Sequence, residues 1–449
     1  MSNKVKINNA YIQDLTVLIE KKKSEELIKI IESLHAVDIA EIIECLSSEY
    51  IKYFYDLVPE EVSANVLIEL EDNTREDLLQ GLSPREIAEE VIEKLATDDA
   101  ADLIAEFTKK KKEAVLSHIE DIRHASDISD LLSYPEGTAG TLMEKELIQV
   151  NENWNTVQCL EEIRKQANNV KKVYSIYVVN NNNKLLGLIS LRKLLLTERS
   201  TAIKDIMFTD IISIKTTEEN EYVANVMQKY NLVVLPVVDD LGALIGRITF
   251  DDVMDVAKEE AEKDYQMASG ISEDVESKDS IWELTRARLP WLLIGMLGGL
   301  IGAQVIGLFN IEENFELALF IPLIAAMGGN VGVQSAAIVV QGLANESLQM
   351  ENIFHKLVKE LAVGLLNGIT CSAIILAASF ALGYGIEISI TVSLSLLVVI
   401  VFAALFGTII PLTLQKYNID PALATGPFIT TINDVLGLFI YFWIGQIIL

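Results

Sequence analysis

LPWLLIGMLGGLIGAQVIGLF, residues 289 to 309, contains no charged side chain and follows directly on Arg286 and Arg288. A helix rises about 1.5 Å per residue, so a stretch of this length crosses a hydrocarbon core of roughly 30 Å. Working outward, comparable apolar runs recur at about 316–343, 359–383, 388–414 and 426–448, divided by polar breaks such as NIEENFE, NESLQMENIFHK, GYGIE and QKYNID. Five spans are expected. The basic residues orient them: Arg286 and Arg288 precede span one, Lys356 and Lys359 lie between spans two and three, and Lys416 lies between spans four and five. Positive charge stays inside. The N-terminal part is therefore expected in the cytoplasm, with an outward C-terminus at a multi-pass cell (plasma) membrane.

Charge is segregated along the chain. Of 36 Lys and Arg residues, 33 precede residue 289, while the 65 acids divide 56 before and 9 after. The first part thus carries 33 − 56 = −23 and the second 3 − 9 = −6. Phosphate recognition needs clustered Lys and Arg, so no nucleic acid partner is expected, and anionic lipid is equally disfavoured for this part. The only lipid contact expected is that of the spans. A surplus of acids suits divalent cations, although any single carboxylate is more simply a solubilising group. Cys45, Cys159 and Cys371 are scattered and lack CxxC spacing, which implies neither a disulfide framework nor a thiolate metal site. The opening MSNKVKINNAYIQDL has no apolar core of a secretory signal.

Two repeats organise the first part. Leucines recur at 34, 46, 57, 70, 82 and 95, each leading into a polar helix start; LVPEEVSANVLIEL and LSPREIAEEVIEKL are examples. Proline near the turn, acids after it and apolar residues at helical spacing predict short helices stacked in a superhelix. From about 143 the pattern becomes βαβ-like and repeats at an offset of 59, Leu186 aligning with Ile245. Each copy shows an apolar strand, a polar turn, a strand ending in Gly, and Ser or Thr before a helix. This resembles a tandem pair of CBS domains, a module that senses ligands and dimerises. DDVMDVAKEEAEKDYQMASG, residues 251–270, then predicts one charged helix running toward the membrane, with acids at 251, 252, 255, 259, 260, 262 and 264. So many like charges repel unless something neutralises them.

The fold class expected is a multi-domain membrane protein: a superhelical α-helical N-terminal domain (1–135), tandem α/β CBS domains (136–250), a long connecting helix (251–280) and a five-helix transmembrane bundle (281–449). Within the last span, Asp434 lies deep in TGPFITTINDVLGLFIYFWIGQIIL with no membrane Lys or Arg to pair with it. An ionised carboxylate at that depth costs at least roughly 2.5 kcal/mol, which makes it a functional candidate. In span two, IPLIAAMGGNVGVQSAAIVV, the residues Pro322, Gly328, Gly329, Asn330 and Gly332 are expected to interrupt the helix, freeing carbonyl oxygens beside the Asn330 amide. Close helix packing by small residues is the alternative reading. Oxygen ligands without His or Cys suit a hard cation; Mg²⁺ keeps its water, so a wide site fits it, and Ca²⁺ and Mn²⁺ remain chemically open.

With acidic helical repeats, a CBS pair, a charged connecting helix, and spans bearing PLIAAMGGNVGVQ and DPALATGPFITTINDVLGL, the chain resembles the MgtE family of magnesium channels over nearly its whole length. That resemblance implies a homodimer whose pore is lined by spans two and five, with Asp434 of each subunit holding hydrated Mg²⁺ and Gly328, Gly329 and Asn330 beside it. It also implies gating by cytoplasmic Mg²⁺, carried by Asp98, Asp102, Glu219, Glu221, Asp252, Asp255, Glu260 and Asp264, for magnesium uptake and homeostasis. Lys263 stands beside Asp264 where the family often has an acidic pair. The CBS resemblance makes ATP a possible ligand through Thr249 and Asp252, whereas Lys193 occupies the first copy's usual ribose-binding Asp position. An enzyme is not expected: none of His35, His118, His124 and His355 lies in HExxH or inside a span. A coupled carrier is the other competitor, and the spans show no obvious inverted repeat.

Overall fold

A computed structural model describes residues 7–167, 170, 172–272, 275, 279–309, 315–344, 353–417, 419–424 and 426–449. The chain divides into two compact units, Met1–Ala257 and Lys258–Leu449.

The first unit begins with short helices α1 (Asn9–Glu20), α2 (Ser24–Ile31), α3 (Ala36–Cys45), α4 (Ser48–Tyr55), α5 (Glu60–Ile68), α6 (Asp72–Gln80) and α7 (Pro84–Glu86). A π turn (Ile87–Val91) and a 3-10 turn (Ile92–Lys94) prolong α7, and α8 (Thr97–Ala105), α9 (Lys109–Leu116) and α10 (Ile122–Leu131) follow. The repeated leucines fall two or three residues ahead of the starts of α3 to α8. Leu46, Leu70 and Leu95 are buried and Leu34, Leu57 and Leu82 are half-buried against the same core, so each repeat pins the turn between two helices. Ser83 and Glu86 form a capping box with Pro84 as first residue, the local reason α7 starts there.

Two three-stranded α/β copies complete this unit. The first comprises β1 (Ile148–Asn151), α11 (Thr156–Gln166), β2 (Ile176–Val179), β3 (Leu185–Ile189) and α12 (Leu191–Leu196). The second comprises β4 (Ile214–Lys215), α13 (Asn220–Tyr230), β5 (Val234–Val238) and β6 (Leu244–Thr249), and α14 (Phe250–Ala268) leaves β6 directly. In each sheet the first pair is parallel and the second antiparallel. Gly187 and Gly246 lie inside β3 and β6 instead of ending them, and glycine is required there since a Cβ would meet the carbonyl oxygens of Phe208 at 2.4 Å and Glu144 at 2.8 Å. The second copy shares one apolar core with the helical repeats, through Ile214, Val223, Met227, Leu235 and Ile248. The first copy keeps its own core around Ile148, Ile176 and Ile189.

The second unit has five helices long and apolar enough to cross a membrane. They are α15 (Ile281–Gly307), α17 (Ile321–Ala344, preceded by the short α16, Phe315–Ala318), α18 (Ile353–Ala381), α19 (Ile386–Lys416) and α20 (Pro427–Ile448). Of the expected polar breaks at 310–316 and 345–356, residues 310–314 and 345–352 lie outside the described residues, while Phe315 and Glu316 open α16 and Ile353 to Lys356 open α18. Span one begins earlier than its apolar run because Ser280 and Glu283 form a capping box. Helix α19 is the most buried of the five, and Val392, Leu396, Val399 and Ile400 anchor the bundle core with Ile324 and Tyr441.

Span two departs from expectation. Helix α17 continues without a break through Gly328, Gly329, Asn330 and Gly332, and Pro322 sits in its first turn, where a missing N–H costs nothing. The glycine carbonyls therefore serve the helix ladder and are not freed as ligands. These residues are small to admit neighbours: a Cβ on Gly407 of α19 would come within 2.3 Å of the Gly332 carbonyl oxygen. Gly407→Val should therefore destabilise the bundle by about 1–3 kcal/mol, as overpacking generally does. A clear fall in the thermal midpoint of the purified chain would register it. Gly299→Val, at a position with nothing within 4 Å, should leave that midpoint unchanged.

Candidate functional site

In the membrane unit, Asp434 lies two turns into α20, half-buried, and no ion pair or hydrogen bond engages its carboxylate among the described residues. Helix α17 approaches it through glycine: a Cβ on Gly329 would lie 3.3 Å from Asp434 Oδ1, and one on Gly328 would lie 3.5 Å from the Asn433 carbonyl oxygen. Gly329 and Asp434 are thus brought together and Gly328 packs on the backbone of the preceding residue, Asn433, whereas Asn330 lies on the exposed side of α17. A groove of about 280 Å³ runs between α15 and α20, with Gly295, Gly298, Gly299 and Gly302 on one wall and Thr431 and Asp434 on the other. A carboxylate at a groove walled by glycine offers one negative charge and room for an ion that keeps its water.

A second site forms in the first unit. Asp98, Glu144 and Asp252 each present a carboxylate oxygen within 4.8 Å of the others. Three local arrangements bring them together. Thr97, at the start of α8, donates its hydroxyl to Glu146 at 2.7 Å and accepts from the Lys145 amide at 3.1 Å, fastening Asp98 to the crossing segment. Glu144 is held to β6 by backbone bonds with Arg247 in both directions, at 2.8 and 3.0 Å. Asp252 lies in the first turn of α14, where its Oδ2 accepts from Thr249 N at 3.1 Å and Thr249 Oγ1 at 2.5 Å.

One cation already serves the cluster. Arg247, 3% exposed, places Nε at 2.9 Å and Nη2 at 2.6 Å from Glu144 Oε2. Three carboxylates against one guanidinium leave two negative charges, the deficit a divalent ion would cancel. Asp98 is only 8% exposed and its Oδ1 has no hydrogen-bond partner. A buried carboxylate oxygen without a partner is costly, so this donor set fits a hard cation.

Protonation reflects the same crowding. Burial raises the Asp98 carboxyl well above its ordinary value, and Asp99, Glu144 and Asp252 add to it. Burial also raises Glu144, against the pull of Arg247, and raises Asp252, against its bonds from Thr249. Because these raised groups hold protons more tightly folded than unfolded, stability without the ion falls as pH rises from the ordinary carboxylate range through the raised values. Mg²⁺ should accordingly raise the thermal midpoint more at pH 7.5 than at pH 5.5. An equal shift at both would contradict the cluster as its binding site.

The other expected regulatory acids are dispersed. Asp102 lies one turn beyond Asp98 and is exposed, as are Glu219 and Glu221 at the start of α13. Asp255 adds to the raised value of Glu69, whose main cause is burial. Glu260 is bound by Lys263 at 3.3 Å. Asp264 is raised by burial and then by Asp420 and Glu260. Glu69, Glu144 and Asp420 were not expected from the sequence, since nothing in their local patterns marks them. The expected nucleotide pair, Thr249 and Asp252, is spent largely on itself as the cap of α14, and Asp252 faces the carboxylates.

Five spanning helices with an unpaired acid among them, joined to helical repeats and a CBS pair, define a membrane transport protein with a large extramembrane region. The family model described as "Divalent cation transporter" matches residues 321–444, that of the MgtE intracellular N domain matches 34–137, and the CBS model matches 139–198 and 203–259. A magnesium transporter MgtE of Thermus thermophilus is 31% identical over 449 aligned positions, covering 96% of this chain and 97% of that protein. One of Bacillus subtilis is 29% identical, covering 96% of both. The crystal structure of the cytosolic domain of the Mg²⁺ channel MgtE in complex with ATP is 30% identical, covering 54% of this chain and 99% of that one with a TM-score of 0.49. The chain belongs to the MgtE family.

Proposed function

We propose that the chain forms a Mg²⁺-selective channel in the cell membrane, assembled as a homodimer and closed by cytoplasmic Mg²⁺. The observation that carries this reading is the carboxylate of Asp434, half-buried in the spanning bundle beside the glycine face of α17 and without a partner among the described residues. Mg²⁺ sheds water reluctantly, so one carboxylate per subunit acting through the hydration shell suits it better than a dry cage. In a dimer, Gly328 and Gly329 would give the ion width, and the exposed Asn330 would face the second copy.

Closure is assigned to the acids of the extramembrane region. Asp98, Glu144 and Asp252 form the primary regulatory site, with Asp102, Glu219, Glu221, Asp255, Glu260 and Asp264 as further ligands and Glu69 and Asp420 as partners of the last group. When the ion is scarce, like charges push these segments apart; when it binds, the repulsion is cancelled and the packed state is favoured. Helix α14 carries acids of both groups along one rod.

The test is flux of Mg²⁺ into liposomes containing the full chain, read by an entrapped indicator. Flux should follow the electrochemical gradient with no coupling ion, and should stop when Mg²⁺ is raised on the extramembrane side. Flux that requires a coupling ion, or that ignores Mg²⁺ on that side, would sink the reading.

A further inference from the structure

Few side-chain polar atoms are buried without a partner among the described residues of the spanning helices: the hydroxyls of Ser372, Ser389 and Ser395, and both Oδ1 and Nδ2 of Asn433. A helical hydroxyl can turn back to the carbonyl one turn earlier, as Thr391 and Thr408 do at 2.8 and 3.0 Å. An asparagine amide, with two donors and a carbonyl acceptor, is not satisfied in that way. Asn433 therefore needs partners from outside its own helix.

Its surroundings supply none here. Asn433 is 1% exposed and is wedged against α17, where a Cβ on Gly332 would fall 1.8 Å from Nδ2. Asp434 is the next residue along α20. Leaving a bare amide dry in a membrane bundle is expensive, and an apolar residue of similar size would be cheaper if packing were its whole purpose.

We propose that Asn433 is a positioning residue for ion passage. Its amide is dry in this conformation and is uncovered when α17 and α20 shift at Gly332, and it then holds the water shell of the cation at Asp434. Water bound to Mg²⁺ presents only donors outward, so it seeks acceptors, and the Oδ1 of Asn433 is an acceptor without a partner on the residue next to Asp434. Glycine at 332 lets the crossing move without a side chain in the way. The proposal rests on the reading of Asp434 as the ion-binding acid.

Valine and threonine have nearly the same shape and differ in a methyl against a hydroxyl, so the pair Asn433→Val and Asn433→Thr separates polarity from packing. In full-chain liposomes at low extramembrane-side Mg²⁺, the Val variant should conduct at least about tenfold less than the Thr variant, the equivalent of one lost hydrogen bond of about 1.4 kcal/mol. The thermal midpoint of the Val variant should be no lower than that of Thr, which a packing defect would not produce. If Val and Thr conduct alike, whether both well or both poorly, the proposal is overturned and Asn433 is a packing residue. Asp434→Asn is run beside them: if it conducts normally, the reading of the pore fails on its own account.

Discussion

Replacing Asp434 by Ala should reduce Mg²⁺ flux in liposomes at least a hundredfold, roughly 2.8 kcal/mol at about 1.4 kcal/mol per decade. That demand is modest beside what the carboxylate can supply. One negative charge and a divalent ion separated by about 5 Å attract by roughly 6–7 kcal/mol at an effective dielectric constant near 20, before desolvation is subtracted. The half-buried acid has no competing partner among the described residues, so its charge is available to the ion. Asp434→Asn keeps the shape and removes the charge, and it should fall nearly as far. Neither change should damage folding, since burying an ionised group within a span is unfavourable to begin with. A folded Asp434→Ala protein that conducts normally would remove the acid from the ion path.

The second large effect is expected at Asp98. At a hundredfold excess over its dissociation constant, an ion that binds only the folded protein stabilises it by about 2.7 kcal/mol. For a unit of some 250 residues, that corresponds to a rise in thermal midpoint of roughly 5–10 °C. Asp98→Asn should lose most of this rise, because it removes the buried oxygen that has no partner in the cluster with Glu144 and Asp252. The same variant should keep conducting when Mg²⁺ on the extramembrane side is raised. Asp102→Asn, one exposed turn away, provides the contrast and should retain both responses more fully. Full Mg²⁺ stabilisation of the Asp98→Asn chain would refute the cluster as the principal regulatory site.

Much of the architecture could be read before any coordinates. Leu34 to Leu95 recur every 11 to 13 residues ahead of Pro- and acid-bearing helix starts with apolar residues at helical spacing, and they fall at the turns before α3 to α8. The offset of 59 residues reappears in the starts of β3 and β6, at Leu185 and Leu244. The apolar runs became spans whose ends fall within eight residues of the expected limits, the largest differences lying at the starts of α15 and α18, because hydrophobic length is a property of the chain alone while helix starts depend on caps. The misreading of span two has an equally local origin. Glycine clusters lower intrinsic helix propensity, yet the same residues allow Gly332 and Gly407 to bring two helices close enough to hold each other straight.

The sites divide along the same line. Asp434 stands out in one dimension because a charge in an apolar run is an anomaly wherever the helix packs. Glu144 does not, since MEKE is an unremarkable polar turn until Arg247 and Thr97 draw it to Asp98 and Asp252, residues separated from one another by more than 150 positions. Likewise Asn433 reads as one more small polar residue until Gly332 is found pressed against its amide.

By itself, then, the sequence determined what depends on neighbours along the chain: five spans, two repeats, a charged rod and an acid out of place in an apolar helix. Only the tertiary structure decided which carboxylates share a cation-sized space, that α17 stays helical, and that an amide beside Asp434 is left without a partner. Hydrophobic length and period act through adjacent residues, whereas ligand sets and packing contacts arise between residues that meet only after the chain has folded.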